Sequence, residues 1–118
     1  MHDSPHLHPL GKMTVFYIPS TKLDDPRFFQ GVQTARSAIH EFLIHRYKAY
    51  TQTPTPAKGY WVNEGEELVH DVIERFEVSF GSEEEFDRLI EFLVELCGKL
   101  NENAIYVTRG DRSFLASL

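Results

Sequence analysis

The sequence predicts an α+β domain with ferredoxin-like β-α-β-β-α-β order, in which two helices cover one face of an antiparallel sheet. Two segments carry apolar residues at spacings of three and four, which is the period of an amphipathic helix. Short runs rich in β-branched and aromatic residues flank both segments. The 118 residues, 42% of them hydrophobic, are enough to bury one core. We therefore expect a single domain at residues 13–118.

Residues 1–12 are expected to precede this domain as a flexible tail. They contain Pro5, Pro9 and Gly11 and show neither a helical nor a strand period. Three histidines in this segment offer metal-binding nitrogens at spacings of four and two, but no nearby Cys or pair of Asp residues completes a site. We predict no metal site and no cofactor.

The first strand, helix, strand unit is predicted over residues 13–53. A strand is expected over 13–18, a helix from Asp24-Asp25-Pro26 to about His45, and a second strand over 47–53. An Asp side chain can cap the first helical N–H groups, and Pro26 lies where its missing N–H costs nothing. The predicted apolar face of the helix comprises Phe28, Val32, Ala35, Ile39, Phe42 and Leu43.

The second unit begins with an extended hairpin of aromatic composition. Pro54 and Pro56 interrupt the preceding strand, and residues 59–63 resume an extended pattern. Asn63-Glu64-Gly65 has the composition of a turn, and a long strand follows over 68–80. Because side chains alternate along a strand, every second residue from 68 to 80 lies on one face.

The second helix has the clearest start in the chain. Ser82 and Glu85 have the spacing of a capping box, and the acidic first turn suits the positive end of the helix dipole. We expect this helix to stop at Asn101-Glu102-Asn103 and a final strand to follow over 104–109. Right-handed crossovers then place the first and third strands at the centre of the sheet and the second and fourth at its edges.

Charge and composition disfavour several classes of partner. The formal charge of −6 opposes nucleic-acid phosphates. No apolar run approaches the roughly 18 residues of a membrane span, and the first residues lack the pattern of a secretory signal. Cys97 lies among apolar residues, as a buried thiol in a reducing compartment does. We predict a cytoplasmic protein with no nucleic-acid or membrane partner.

Glu74 is the residue that a purely structural interpretation explains least. It shares a strand face with Val72 and Phe76, where a charge loses its water. Such a carboxylate could be neutralised, paired with Arg36 or Arg75, or placed at the mouth of a pocket as a general acid or base. The alternative is a β-bulge or strand end that turns Glu74 to solvent.

His70 lies on the same predicted face, four residues before Glu74, and the hairpin also carries Tyr60 and Trp61. An imidazole near a carboxylate can transfer protons at neutral pH, so these residues could line one cleft. An ordinary surface contact is the alternative interpretation. The candidate catalytic residues are therefore His70 and Glu74, and the candidate ligand-binding residues are Tyr60, Trp61, Tyr50 and Arg75.

The hairpin region also carries a family resemblance. This region resembles a family of small bacterial proteins catalogued only as a domain of unknown function. The resemblance lies in a Trp after a Gly (Gly59 and Trp61), the turn residue Gly65, and Glu74 at the opening of a hydrophobic strand. The resemblance covers the order of elements over residues 13–107. It implies a ferredoxin-like fold and no activity.

Two functional hypotheses remain open. An arm of two strands cannot bury its own rings, so the first is a non-enzymatic domain that forms a homodimer and binds a small molecule or a protein. The second is a small cofactor-free enzyme of the isomerase, lyase or oxygenase type, in which His70 and Glu74 move protons. A buried Glu74 that faces an open apolar cavity would favour the enzyme.

Overall fold

The computed structural model describes residues 4–29, 33–54 and 57–118, which form an α+β structure with one six-stranded antiparallel sheet. Val32 and Pro56, used in the predictions above, lie outside the described residues. None of the helices described is both long and apolar enough to cross a membrane. The strands are β1 (Lys12–Pro19), β2 (Thr51–Thr53), β3 (Lys58–Val62), β4 (Leu68–Phe80), β5 (Ile105–Arg109) and β6 (Arg112–Ala116). The helices are α1 (Ser20–Leu23), α2 (Ala35–Tyr47) and α3 (Glu83–Leu100), with a 3₁₀ turn at Pro26–Phe28.

The sheet has the strand order β2-β4-β1-β5-β6, and β3 also pairs with β4. The first and third predicted strands, β1 and β4, are adjacent in the middle of this order. The prediction that the fourth strand lies at an edge is wrong, because β6 pairs with the outer side of β5. Gly110, with a φ of 60°, turns the chain back between them in a conformation that favours glycine.

The start predicted for the first helix is wrong. Asp25 caps only the 3₁₀ turn, where its carboxylate accepts a hydrogen bond from the N–H of Arg27 at 3.0 Å. The helix α2 begins at Ala35, because the Thr34 hydroxyl accepts a hydrogen bond from the N–H of Ser37 at 3.2 Å. The apolar spacing continues across the break, so periodicity alone did not locate this second cap.

The second strand is shorter than predicted. The helix α2 continues to Tyr47, and Lys48 ends it in a left-handed conformation with a φ of 73°. The N–H of Lys48 still donates to the carbonyl of Ile44 at 3.1 Å. This last turn takes residues that the alternation had placed in a strand, and β2 contains only Thr51–Thr53.

The hairpin and the second long helix are confirmed. In the turn between β3 and β4, the N–H of Asn63 donates to the carbonyl of Glu67 at 3.0 Å. The Ser82 hydroxyl accepts a hydrogen bond from the N–H of Glu85 at 3.3 Å and caps α3. Asn101 ends this helix with a φ of 55°.

The helices α2 and α3 pack on one side of the sheet, which we call the covered face. Phe16 and Phe76 stack at its centre with ring centroids 5.2 Å apart. Even-numbered residues of β4 point to this face, and odd-numbered residues point to the other, which we call the open face. The helices contribute fully buried side chains to the core, among them Ile39, Leu43, Leu89 and Leu93.

Arg109 is a charged residue within this core, with a side chain only 4% exposed. Its guanidinium lies 4.6 Å from the ring centroid of Phe80 and 5.3 Å from that of Phe86. The carboxylate of Glu83 lies 3.4 Å from its Nε. Its Nη1 also donates to the Thr14 hydroxyl and to the Phe80 carbonyl, both at 3.4 Å. Two aromatic faces, one carboxylate and two neutral oxygens thus surround this cation and connect the start of α3 to the end of β5.

Cys97 is buried, as predicted. Its Sγ donates to the carbonyl of Ala116 at 3.3 Å, and burial raises the pKa of the thiol. A buried thiol with a raised pKa is a poor nucleophile, so Cys97 is a core residue.

The hydrogen bond that caps α3 can be tested by its effect on stability. We expect Ser82→Ala to lower the free energy of unfolding by about 1 kcal/mol, because the N–H of Glu85 loses its acceptor. Urea unfolding followed by circular dichroism measures the change. Ser117→Ala, at an exposed position after β6, is the matched control and should leave the midpoint unchanged. An unchanged midpoint in Ser82→Ala would contradict the cap.

Candidate functional site

The hairpin forms an arm, defined here as β3 together with residues 68–72 of β4. In its register, Tyr60 lies opposite His70 and Val62 lies opposite Leu68. These four side chains project toward the side of the covered face, because the even-numbered residues of β4 do so. Tyr60, Val62 and Leu68 are 61%, 64% and 70% exposed. We call this surface the ledge and define it by Tyr60, Val62, Leu68 and His70.

A buried carboxylate lies on the same side of β4, four residues beyond the ledge. Glu74 lies opposite Ile18 of β1, and its side chain is 6% exposed. Arg36, in the first turn of α2, donates from Nη1 to Oε1 at 3.2 Å and from Nη2 to Oε2 at 2.9 Å. The amide of Gln52, on β2, also donates to Oε1. The charge of Glu74 is therefore paired and hydrogen-bonded, as burial requires.

Arg36 also holds a second carboxylate, that of Asp24. Its Nε and Nη2 donate to Asp24 at 2.8 and 3.0 Å. The hydrogen bonds to Asp24 and Glu74 raise the pKa of the guanidinium, and the guanidinium in turn holds the pKa of Asp24 below its ordinary value. We call Asp24, Arg36 and Glu74 the acidic cluster. It carries one net negative charge, which is most accessible at Asp24, whose side chain is 64% exposed.

The contacts of Glu74 determine what this carboxylate can do. Of the environments considered from the sequence, the structure shows pairing with Arg36, on a regular stretch of strand. Both carboxylate oxygens already accept hydrogen bonds from Arg36. Oε1 accepts a second hydrogen bond from Gln52, and Oε2 is held by Arg36. The geometry suits a residue that holds Arg36 in place.

The structure separates His70 from Glu74. Both point toward the covered face, but four residues of strand place them about 13 Å apart. This separation is too long for direct proton transfer, which needs hydrogen-bond contact. His70 instead lies beside Tyr60, with ring centroids 5.7 Å apart.

The other predicted ligand-binding residues are divided between the two faces. Trp61 pairs with Val69, and this pair projects to the open face because strand neighbours alternate. Arg75 is also on the open face and donates to Glu77 at 2.5 Å. Neither residue joins Tyr60 on the ledge.

Tyr50 precedes β2 and contacts α2 rather than the arm. Its hydroxyl lies 2.7 Å from Nδ1 of His40, and its ring packs against Phe76 with centroids 6.4 Å apart. Burial raises the pKa of this phenol. Tyr50 therefore connects the edge of the sheet to α2.

Asp24 and Gln52 belong to the site but were missed in the sequence. Either Asp24 or Asp25 fits the predicted helix cap, and in the structure Asp25 performs the capping. Nothing in the local pattern indicates that Asp24 contacts Arg36, twelve residues later. Gln52 also lacked a signal in the sequence, because only the strand register, which places it opposite Phe76, brings its amide to the covered face.

Comparison with known proteins bears on the fold. Neither a family model nor a curated protein sequence matches the chain. A similar solved structure is that of a phage SAM lyase in complex with S-methyl-5′-thioadenosine. The TM-score is 0.55 at 11% sequence identity, and the match covers 95% of this chain and 95% of the other. At this identity the similarity shows a shared fold and no activity.

The pairing of Arg36 with Glu74 can be tested by its effect on stability. Arg36→Met keeps an unbranched side chain but leaves Glu74 without its cation. We expect a loss of about 2 kcal/mol, less than the 3–5 kcal/mol typical of an enclosed pair because 37% of the Arg36 side chain faces water. Urea unfolding measures the loss. Arg27→Met is the matched control, since Arg27 pairs with Asp25 on the surface and should have no measurable effect. Equal losses in the two variants would contradict a special role for Arg36.

Proposed function

We propose that this protein is a self-associating domain that binds a small ligand along the ledge and the acidic cluster. The observation that supports this most directly is the ledge, on which three apolar side chains more than 60% exposed lie side by side on a two-stranded arm. Contiguous exposed apolar surface of this kind commonly marks a binding site. Sites for small molecules combine apolar rings with a few convergent polar groups, and the acidic cluster supplies the polar groups here.

The proposal also includes the ferredoxin-like fold, the family resemblance and the cytoplasmic location expected from the sequence. The order β2-β4-β1-β5, with α2 and α3 on one side, supports a ferredoxin-like unit to which β3 and β6 are additions. The resemblance to a bacterial family of unknown function concerns this same order of elements. The free, buried thiol of Cys97 supports a reducing cytoplasmic location.

The class of ligand is proposed from charge and from the similar structure. Tyr60 and His70 offer flat surfaces on which a nucleobase can stack. The net negative charge of the acidic cluster favours a cationic group over an anionic one. The similar structure is that of a SAM lyase with S-methyl-5′-thioadenosine bound. We therefore propose an adenosine derivative with a cationic substituent, such as the sulfonium of SAM.

Calorimetric titration with SAM and with S-methyl-5′-thioadenosine tests this proposal. We expect Tyr60→Ala to weaken the binding of both by about tenfold, because stacking of a base on a ring contributes roughly 1–3 kcal/mol. Asp24→Asn should weaken SAM more than the neutral thioether. Trp61→Ala is the matched control, since Trp61 is the next residue of the same strand and faces the opposite side.

Two results would contradict this assignment. One is the absence of a heat of binding with either nucleoside. The other is a loss of affinity in Trp61→Ala as large as that in Tyr60→Ala, which would show that the arm as a whole, rather than the ledge, affects binding.

The similarity to a lyase favours a second candidate function, cleavage of SAM. In that case Glu74 would orient Arg36, and through it the ligand, because both of its oxygens are engaged. Incubation with SAM followed by chromatography separates the two candidates. A binding protein leaves SAM decaying at the rate of a protein-free sample. Faster breakage of the C–S bond, with S-methyl-5′-thioadenosine and the four-carbon amino-acid fragment released as its lactone in equal amounts, would establish the lyase.

Self-association is supported by exposed aromatic side chains on both sides of the arm. Tyr60 and Trp61 are 61% and 45% exposed on opposite faces of β3, and an isolated two-stranded arm buries neither. We expect sedimentation velocity at micromolar concentration to show a particle of twice the 13.7 kDa chain mass. A strict monomer across this range would contradict self-association.

A further inference from the structure

The open face of the sheet carries a continuous band of apolar side chains. Tyr17 lies opposite Arg75 of β4, and its ring centroid is 5.9 Å from that of Tyr106 on β5. Tyr106 in turn lies opposite Leu115 of β6. Met13, Tyr106 and Leu115 are 42% to 72% exposed, although they project from strands of a fully formed sheet. The band therefore crosses β1, β5 and β6 and faces solvent.

This band is continuous with the arm. Odd-numbered residues of β4 connect the two, because Ile73, Val69 and the partner of Val69, Trp61, all point to the open face. The arm and the sheet thus present one surface on this side.

The open face carries few charges for a protein of this composition. Three of the strand residues that point this way are charged, namely Asp71, Arg75 and Glu77, and the last two form an ion pair. Among these strand residues, Asp71 is thus left without a charged partner. The chain as a whole has 18 acidic and 12 basic residues. Depletion of charge at the centre of an apolar surface is typical of protein interfaces.

We infer that the open face packs against the open face of a second copy of this chain about a two-fold axis, an assignment that rests on the self-association proposed above. A two-fold interface must be complementary to itself, because the same residues lie on both sides. Arg75 beside Glu77 meets this requirement. A two-fold axis that passes near the pair places Arg75 of each copy opposite Glu77 of the other.

The size of the surface is sufficient for such a dimer. The open face of the sheet has 29 strand residues, in β1, β2, β5, β6 and 73–80 of β4. At about 3.4 Å along each strand and 4.8 Å between strands they give a footprint of about 470 Å² on each copy, and the ten strand residues of the arm add about 160 Å². Contact between two such faces, with the arms included, would bury roughly 1,300 Å², within the range of stable interfaces. Sheets packed face to face in this way lie about 10 Å apart. The ledge, on the other side of the sheet, stays accessible.

Mixing two charge variants tests the two-fold assignment. Arg75→Glu gives a face with two negative charges at this point, and Glu77→Arg gives a face with two positive charges. We expect each variant alone to dissociate at concentrations at which the natural chain is dimeric. An equimolar mixture should recover the dimer, because the opposite charges then face each other. Sedimentation velocity measures all three samples.

A second pair of variants tests the apolar band. Leu115→Asp introduces a charge into the band, and Leu10→Asp, at an equally exposed leucine before β1, is the matched control. We expect the first variant to raise the dimer dissociation constant at least tenfold and the second to leave it unchanged. Circular dichroism confirms that both variants remain folded.

The possible failures are distinguishable. A natural chain that is strictly monomeric would overturn self-association itself. A natural dimer that persists in Leu115→Asp, or a mixture of the charge variants that does not reassociate, would overturn only the assignment to the open face. In that case Tyr60→Ala should dissociate the dimer, which would place the interface on the ledge.

Discussion

The burial of Glu74 on the covered face of β4 is the constraint on which much of this structure depends. A carboxylate in that position is stable only with a cation and hydrogen-bond donors close by. Arg36 supplies the cation from the first turn of α2, and Gln52 supplies an amide from β2. Asp24 then holds Arg36 from the segment after α1. One charge thus fixes the relative positions of four elements.

The same cluster determines where the helix layer meets the arm. The strand β4 has 13 residues, and β1 pairs only with the eight from 73 to 80. The rest of β4 extends with β3 as the arm. Because Arg36 is in the first turn of α2 and contacts Glu74, the start of that helix is anchored close to the base of the arm. The acidic cluster therefore lies on the same side as the exposed apolar ledge, about 13 Å along β4 from His70, with the pair of Lys58 and Val72 between them.

The sequence predicted those parts of the fold that local patterns encode. The cap at Ser82 and the alternation along β4 located α3 and the long strand, because both depend on residues close in sequence. The break before Ala35 was missed, since the apolar period runs through it and only the second cap at Thr34 marks it. The strand β6 was missed because its pairing with β5 depends on the Gly110 turn rather than on its own periodicity.

The site was harder to predict than the fold for a related reason. Glu74 could be singled out because a charge in an apolar strand face requires an explanation, and Arg36 was among the partners considered. Asp24 had no such signal, since an exposed Asp beside Asp25 and Pro26 fits a helix cap equally well. The proposed cleft of His70, Tyr60 and Trp61 ignored strand alternation on β3. Adjacent residues of a strand cannot line one face, and so Trp61 lies on the side opposite Tyr60.

This alternation has a functional consequence under the two proposals made here. The ledge and the outer end of the open face are the two sides of the same pair of strands, and an isolated two-stranded arm is at best marginally stable. Contact of a second copy with Trp61 and Val69 would order the arm and thereby prearrange Tyr60 and His70 on the other side. A ligand on the ledge would then bind an arm that association has already ordered, so that less conformational entropy is lost on binding. By reciprocity, the ligand would strengthen association by the same factor, so that dimer formation and ligand binding are coupled through the arm.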